Sequence, residues 1–192
     1  MSFRADAPFG LEPSSAYPNE NIPHLPKPII PEMSFLRFLI LLALVVWIGG
    51  IIFLAFVEAP TAFTVGLLPT RHLAGSIVGR SLDLLHYMGM ASGLVFLIAS
   101  MIYYRVTVGK ARPLSIRHLL IALMLGLTLI SQFAVSPRMH ALRAQAVVID
   151  NLSLNDPIRS EFDRLHVWSE NLEKAVLLLG LVAIYRTAQE LK

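Results

Sequence analysis

The hydrophobic pattern divides the chain into a short polar start broken by prolines and a series of long apolar runs. From Phe38 to Val57, twenty consecutive residues carry no charge and are almost all apolar. A helix of that length crosses a hydrocarbon core of about 30 Å. The same pattern predicts spans over about 35–57, 82–104, 114–135 and 167–187. The second has no charge between His86 and Arg105. The third is interrupted only by Arg117 and His118 in its first turn and by Gln132 near its end. The fourth is weaker. Only 175–185 is clean, and spanning requires an extension back through Lys174, Glu173 and Glu170 to about Val167. Asp156 as N-cap with Pro157 at the first helical position predicts that this last helix starts well before the membrane.

Two amphipathic segments flank these spans. Residues 69–80 read as a helix leading into the second span. Ser136-Pro137 is expected to end the third, with a surface helix over 138–149 carrying Met139, Leu142 and Ala146 at helical spacing. The predicted fold class is therefore all-α: a four-transmembrane-helix bundle with two amphipathic surface helices on the non-cytoplasmic side. The predicted division is a proline-rich extended arm, 1–33, followed by a membrane domain, 34–192. The arm holds Pro8, Pro13, Pro18, Pro23, Pro26, Pro28 and Pro31, which suit an extended chain and not a helix or central strand. An ordered arm of this kind needs a surface to lie against, and a neighbouring subunit is the simplest one.

Composition narrows the class further. Of 192 residues, 55% are hydrophobic and 15% charged, against about 25% charged in soluble domains. There is no cysteine, which excludes disulfides, iron–sulfur clusters and thiolate metal sites. The net charge of +3 fits basic membrane loops and not a nucleic-acid footprint. The loop 105–113 carries Arg105, Lys110 and Arg112 and no acid. That bias predicts a cytoplasmic loop with both termini on the same side, in a bacterial inner membrane.

The polar residues that remain are predicted to gather near the outer interface. They are Glu58 at the end of the first span; Arg80, Asp83 and His86 at the second; Gln132, Arg138 and His140 at the third; and His166, Ser169, Glu170, Glu173 and Lys174 at the fourth. The simplest role for such a layer is an interfacial salt-bridge network fixing helix ends. His86, His140 and His166 are the candidate ligands for a haem, a chlorophyll-type pigment or a metal. His118 is expected to be an interfacial histidine. Gly49, Gly50 and the pair Gly89-x-x-x-Gly93 are candidate helix-packing positions, because small residues let helices approach closely in lipid. Ser131 and Gln132 are expected to hydrogen-bond across helices.

Three stretches carry a resemblance: WIGGIIFLAFVEAPTAF at 47–63, AGSIVGRSLDLLH at 74–86 and FDRLHVWSENL at 162–172. In that order they resemble the membrane family of unknown function related to transmembrane protein 205, distantly similar to copper-resistance D and HemJ-type proteins. The resemblance implies four transmembrane helices and carries no settled activity. HemJ-type relatives bind haem and have a histidine where this chain has Ile40, which weakens a haem reading. There is no Ser-x-x-Lys, His-Glu-x-x-His or Gly-x-Ser-x-Gly motif, so no enzyme is expected. The leading expectation is a non-catalytic accessory subunit of a larger membrane complex, respiratory or photosynthetic, contacting it through the arm and the fourth helix. A haem- or metal-binding redox protein and a small transporter are the alternatives. Lipids are the other expected partners.

Overall fold

The computed structural model describes residues 30–109, 115–146, 148–153 and 155–190. Residues 1–29 of the arm, together with Lys110 and Arg112 of the basic loop, lie outside the described residues. The chain is helical from Ile30, so the last residues assigned to the arm belong to the first helix. Pro31 sits in the opening turn, where its missing N–H costs nothing.

Among the described residues every regular element is helical. The first stem runs through α1 (Ile30–Phe53), a π-turn (Leu54–Glu58) and α2 (Ala59–Ala62). The second is a single 38-residue helix, α3 (Arg71–Val108). The third consists of α4 (Ile116–Ile130), a second π-turn (Ser131–Val135) and α5 (Ser136–Gln145). A short 3-10 turn (Ile149–Asn151) leads to α6 (Pro157–Glu190). Met33–Ala62, Arg71–Val108 and Ile116–Gln145 are long and apolar enough to cross a membrane, and the chain has the make-up of an integral membrane protein. α6 is not among these three.

The helix boundaries follow from local chemistry. Thr70 caps α3, its hydroxyl accepting from the Leu73 amide at 3.1 Å. Asp156 caps α6, its carboxylate accepting from the Ile158 amide at 2.8 Å, as its position ahead of Pro157 predicts. Gly109 ends α3 at φ 69°, a left-handed conformation that glycine adopts without a Cβ penalty.

The two separate surface helices do not exist as such. Residues 71–80 are the first turns of α3 itself, because no breaker stands between Arg71 and the span. At 38 residues α3 is about 57 Å long, well beyond the membrane core. Pro137 does not end the third stem either. A proline ring in a regular helix strikes the carbonyl four residues earlier. Here the preceding turn widens, and the Ser136 amide donates to the Ser131 carbonyl five residues back. The same device precedes Pro60, where the Ala59 amide donates to the Leu54 carbonyl. Each π-turn lets a helix run past a proline.

The core is built from one face of each stem. α1 lies chiefly on α3 and α4 chiefly on α6, while α3 meets α4 and α6 meets α1. Ile40, Leu44, Trp47, Ile48, Phe96, Ile121, Met124 and Val176 are almost wholly buried between them. Phe38, Val45, Phe56, Leu94, Leu119, Phe133 and Leu178 point outwards, as lipid-facing residues do.

Gly89 and Gly93 form the seat of the Trp47 indole. A Cβ on Gly93 would stand 2.8 Å from that ring and 2.7 Å from Leu125, and one on Gly89 would strike the indole. These glycines admit a side chain, not a neighbouring backbone. Gly50 similarly receives Leu85 and Gly180 receives Ile48. Gly49 departs from expectation: nothing lies within 4 Å of its would-be Cβ, so it faces outwards and packs against nothing.

Gly93→Ala should therefore overpack the core and cost roughly 1–3 kcal/mol. Gly49→Ala should be neutral or stabilising by up to about 1 kcal/mol through helix propensity. Thermal unfolding of the two variants in one detergent checks this; equal midpoints would remove the proposed seat.

Candidate functional site

The two π-turns flank a vestibule at the end of the molecule where α2 and α5 lie. Its volume is about 630 Å³, within the range of small-molecule sites. The first stem contributes Ile51, Leu54, Ala55, Ala59 and Pro60, so the widened turn and its proline form part of the wall. Ser136, Met139, His140 and Arg143 come from α5, which exists in this position because the second π-turn carries the helix past Pro137. α3 adds Val78, Gly79, Leu82 and Asp83, and α6 adds His166, Ser169, Glu170, Glu173, Lys174 and Leu177. Most of the lining is apolar, with charged side chains among it.

Behind the polar wall stands His86, 1% exposed. Its Nδ1 meets the Gln132 side-chain carbonyl at 2.8 Å and its Nε2 meets the Glu173 carboxylate at 2.6 Å. One imidazole thus ties α3 to the third stem and to α6. The sequence places these residues on three different helices, and only the packing brings them together. A second carboxylate–imidazole pair lies beside it. His140 Nε2 is 2.9 Å from Asp83 Oδ2, joining α5 to α3. Asp83 is buried and His140 half exposed. Arg143 donates to the Gly75 carbonyl at 2.9 Å and lies 5.1 Å from the centre of the Phe162 ring.

The other residues expected in the polar layer are distributed less tightly. His166 Nε2 is 3.2 Å from Glu170 within α6, and its ring stacks on Phe162 at 6.3 Å. Lys174 donates to Glu170 at 2.9 Å. Ser169 is buried on the vestibule wall. Glu58 is partly buried, and Arg80 and Arg138 are exposed; among the described residues none of the three joins these hydrogen bonds. Ser131 is fully buried and its hydroxyl meets no partner among the described residues, unlike its neighbour Gln132.

The candidate ligands are not gathered around one centre. His140 and His166 line the vestibule, whereas both ring nitrogens of His86 are already engaged. Among the described residues no group of three His, Asp or Glu side chains is arranged to hold a metal ion. A haem, pigment or metal at His86 would have to displace Gln132 or Glu173. Ile40 is sealed in the apolar core.

A second polar cluster occupies the opposite end. His118 is held between Ser100, 2.9 Å from its Nε2, and Ser115 on its Nδ1. Arg117 reads from sequence as a cation in the first turn of the third span, yet it is 1% exposed. Its guanidinium lies 4.4 Å from the Tyr104 ring centre, with Nε 3.2 Å from Glu190 Oε2. That approach is out of line for a hydrogen bond, so the attraction is Coulombic. Tyr104 donates to the same carboxylate at 2.6 Å. A hint of the cluster was available in the sequence: Arg117 falls one helical repeat before Ile121 and Met124 on the buried stripe of α4.

Residues 42–147 match the model of a domain of unknown function, DUF4149. The match covers more than half of the chain, which belongs to that family. It includes Trp47, Gly89, Gly93, Asp83, His86, Gln132 and His140, and leaves Glu173 and the rest of α6 outside. It supplies no link to the transmembrane protein 205, copper-resistance D or HemJ-type proteins. No curated protein and no solved structure matches the chain.

His86→Leu should strand Gln132 and Glu173 in a buried setting, at roughly 1–3 kcal/mol for each group left unsatisfied. His86→Gln, which retains a polar head, should unfold at a temperature between that variant and the parent. Thermal unfolding in detergent gives the order, and a His86→Leu protein as stable as the parent would show that the tie is idle.

Proposed function

We propose that this DUF4149 member is a four-span protein of the bacterial inner membrane that works without catalysis, as an accessory subunit packed against a larger membrane assembly. In this reading α6 is the fourth span, and both termini lie in the cytoplasm with the 105–113 loop. The vestibule then opens on the outer side. The basic residues of that loop support the orientation. The resemblance to the transmembrane protein 205 relatives favours the same count of spans.

The observation that carries the accessory role is the outward face of α6. Val167, Trp168, Leu178, Leu181, Val182 and Tyr185 are exposed there, and the half-exposed Glu170–Lys174 pair stands at the border between that face and the vestibule. Charge on the lipid side of a span is costly, and a protein neighbour that covers it removes much of that cost. A respiratory or photosynthetic complex fits the role, with the proline-rich arm as a further contact. The haem or metal reading has less support, because the best-placed imidazole has both nitrogens occupied. The transporter reading gains one specific observation: Asp83 and Glu173 line a cavity bounded by membrane-depth apolar residues.

Two measurements test the proposal. The chain has no native cysteine, so single cysteines at Ser2, Ser153 and Ala188 give clean accessibility data. Ser2 and Ala188 should react only from the cytoplasmic side and Ser153 only from outside; Ala188 reacting from outside would mean that α6 does not span. Purification from native membranes in a mild detergent should retain a stoichiometric membrane partner, lost when Glu170 and Lys174 are replaced by leucine. A partner-free monomer from native membranes would sink the accessory role.

A further inference from the structure

We propose that the vestibule is a binding site for a lipophilic organic cation, an amine with an apolar body. The site goes beyond the accessory role and stands whether or not the chain has a protein partner. The lining of the cavity is mainly apolar and includes Ile51, Leu54, Leu82 and Leu177. Such a surface takes up an apolar body from water or from the membrane.

The same lining presents two carboxylates, Asp83 and Glu173, each held by one oxygen. Asp83 Oδ2 is engaged by His140 and Glu173 Oε1 by His86. The remaining oxygen of each takes part in no other hydrogen bond among the described residues. An imidazole partner fixes the carboxylate without filling its acceptor capacity, since an ionised carboxyl accepts at both oxygens. An ammonium group supplies the N–H donors that the free oxygens lack. Bonds from such a donor to a carboxylate are charge-assisted, and so short and strong.

The cations around the vestibule do not cancel this preference. Lys174 is matched by Glu170. Arg71 also lines the vestibule, but it begins α3, twelve residues before Asp83, so its backbone lies about 18 Å along the helix from that carboxylate. Arg143 is nearer. Its guanidinium lies against Gly75 and Gly79, one turn and more above Asp83, where it is turned to the Gly75 carbonyl and the Phe162 ring.

Three ten-carbon probes separate charge recognition from simple apolar filling: decylamine, decanol and decanoate. Each is titrated calorimetrically into the full-length protein in phosphatidylcholine nanodiscs, with empty nanodiscs as the partition blank. Saturable binding above the blank is expected for decylamine alone. Glu173→Gln and Asp83→Asn should each weaken it by about tenfold or more, the loss of one charge-assisted bond. Arg138→Gln, on an exposed side chain outside the vestibule, should leave it unchanged. If a carboxylate variant fails to fold, Leu82→Trp, which narrows the cavity and spares both carboxylates, should abolish binding. No saturable decylamine binding, equal binding of the three probes, preference for decanoate, or undiminished binding by a folded Glu173→Gln protein would each overturn the proposal.

Discussion

Backbone groups that meet lipid have no water to bond, so a helix that enters the membrane must keep its own hydrogen bonds or close them some other way. That constraint explains the least regular parts of this molecule. Pro60 and Pro137 both stand where a soluble protein would end its helix. Instead each is preceded by a turn closed five residues back, by the Ala59 amide on Leu54 and the Ser136 amide on Ser131. The helices therefore continue, their paths shift, and the residues beyond each proline line one cavity. The vestibule is a consequence of how two prolines are accommodated.

Within that frame the molecule is tied at three depths by different physics. In the middle the tie is steric: the Trp47 indole sits on Gly89 and Gly93, and Ile48 on Gly180. Apolar attraction between helices is weak in lipid, so fit of this kind carries much of the packing. At the vestibule end the tie is a hydrogen-bonded imidazole shared by α3, α6 and the second π-turn. Bonds of this type average only about 0.6 kcal/mol in membrane proteins, but breaking one strands its partners. At the opposite end it is a buried guanidinium facing a single carboxylate and an aromatic ring. Between the two polar ties the core is apolar, with Phe96, Met124 and Val176 buried there.

Much of this was legible in the chain and some was not, for definite reasons. The apolar runs marked three membrane-spanning stretches because length and hydropathy are local properties. Asp156-Pro157 marked the start of α6 because a cap is made by neighbours in sequence. Gly89-x-x-x-Gly93 marked a close contact, but its partner is a tryptophan on another helix, which spacing does not reveal. Gly49 looked equivalent to Gly50 and is not, because adjacent residues on a helix point about 100° apart and only one of them faces α3. The break expected at Pro137 failed because the rule that proline ends helices assumes a regular i−4 ladder, and the ladder here has an extra residue.

The candidate site shows the same division. His86, Asp83, Gln132, His140 and Glu173 were all visible as polar residues near one membrane boundary. The sequence by itself determined that they share a depth, since depth follows from position along each apolar run. It also determined the all-helical class and the membrane environment. Only the tertiary structure decided which of them touch: that Glu173 and Gln132 take both nitrogens of His86, that Asp83 takes His140, and that Arg117 is buried and not solvated. Depth is set residue by residue along one helix. Partnership depends on how several helices are rotated about their axes, and that rotation is settled collectively by the fit of their side chains.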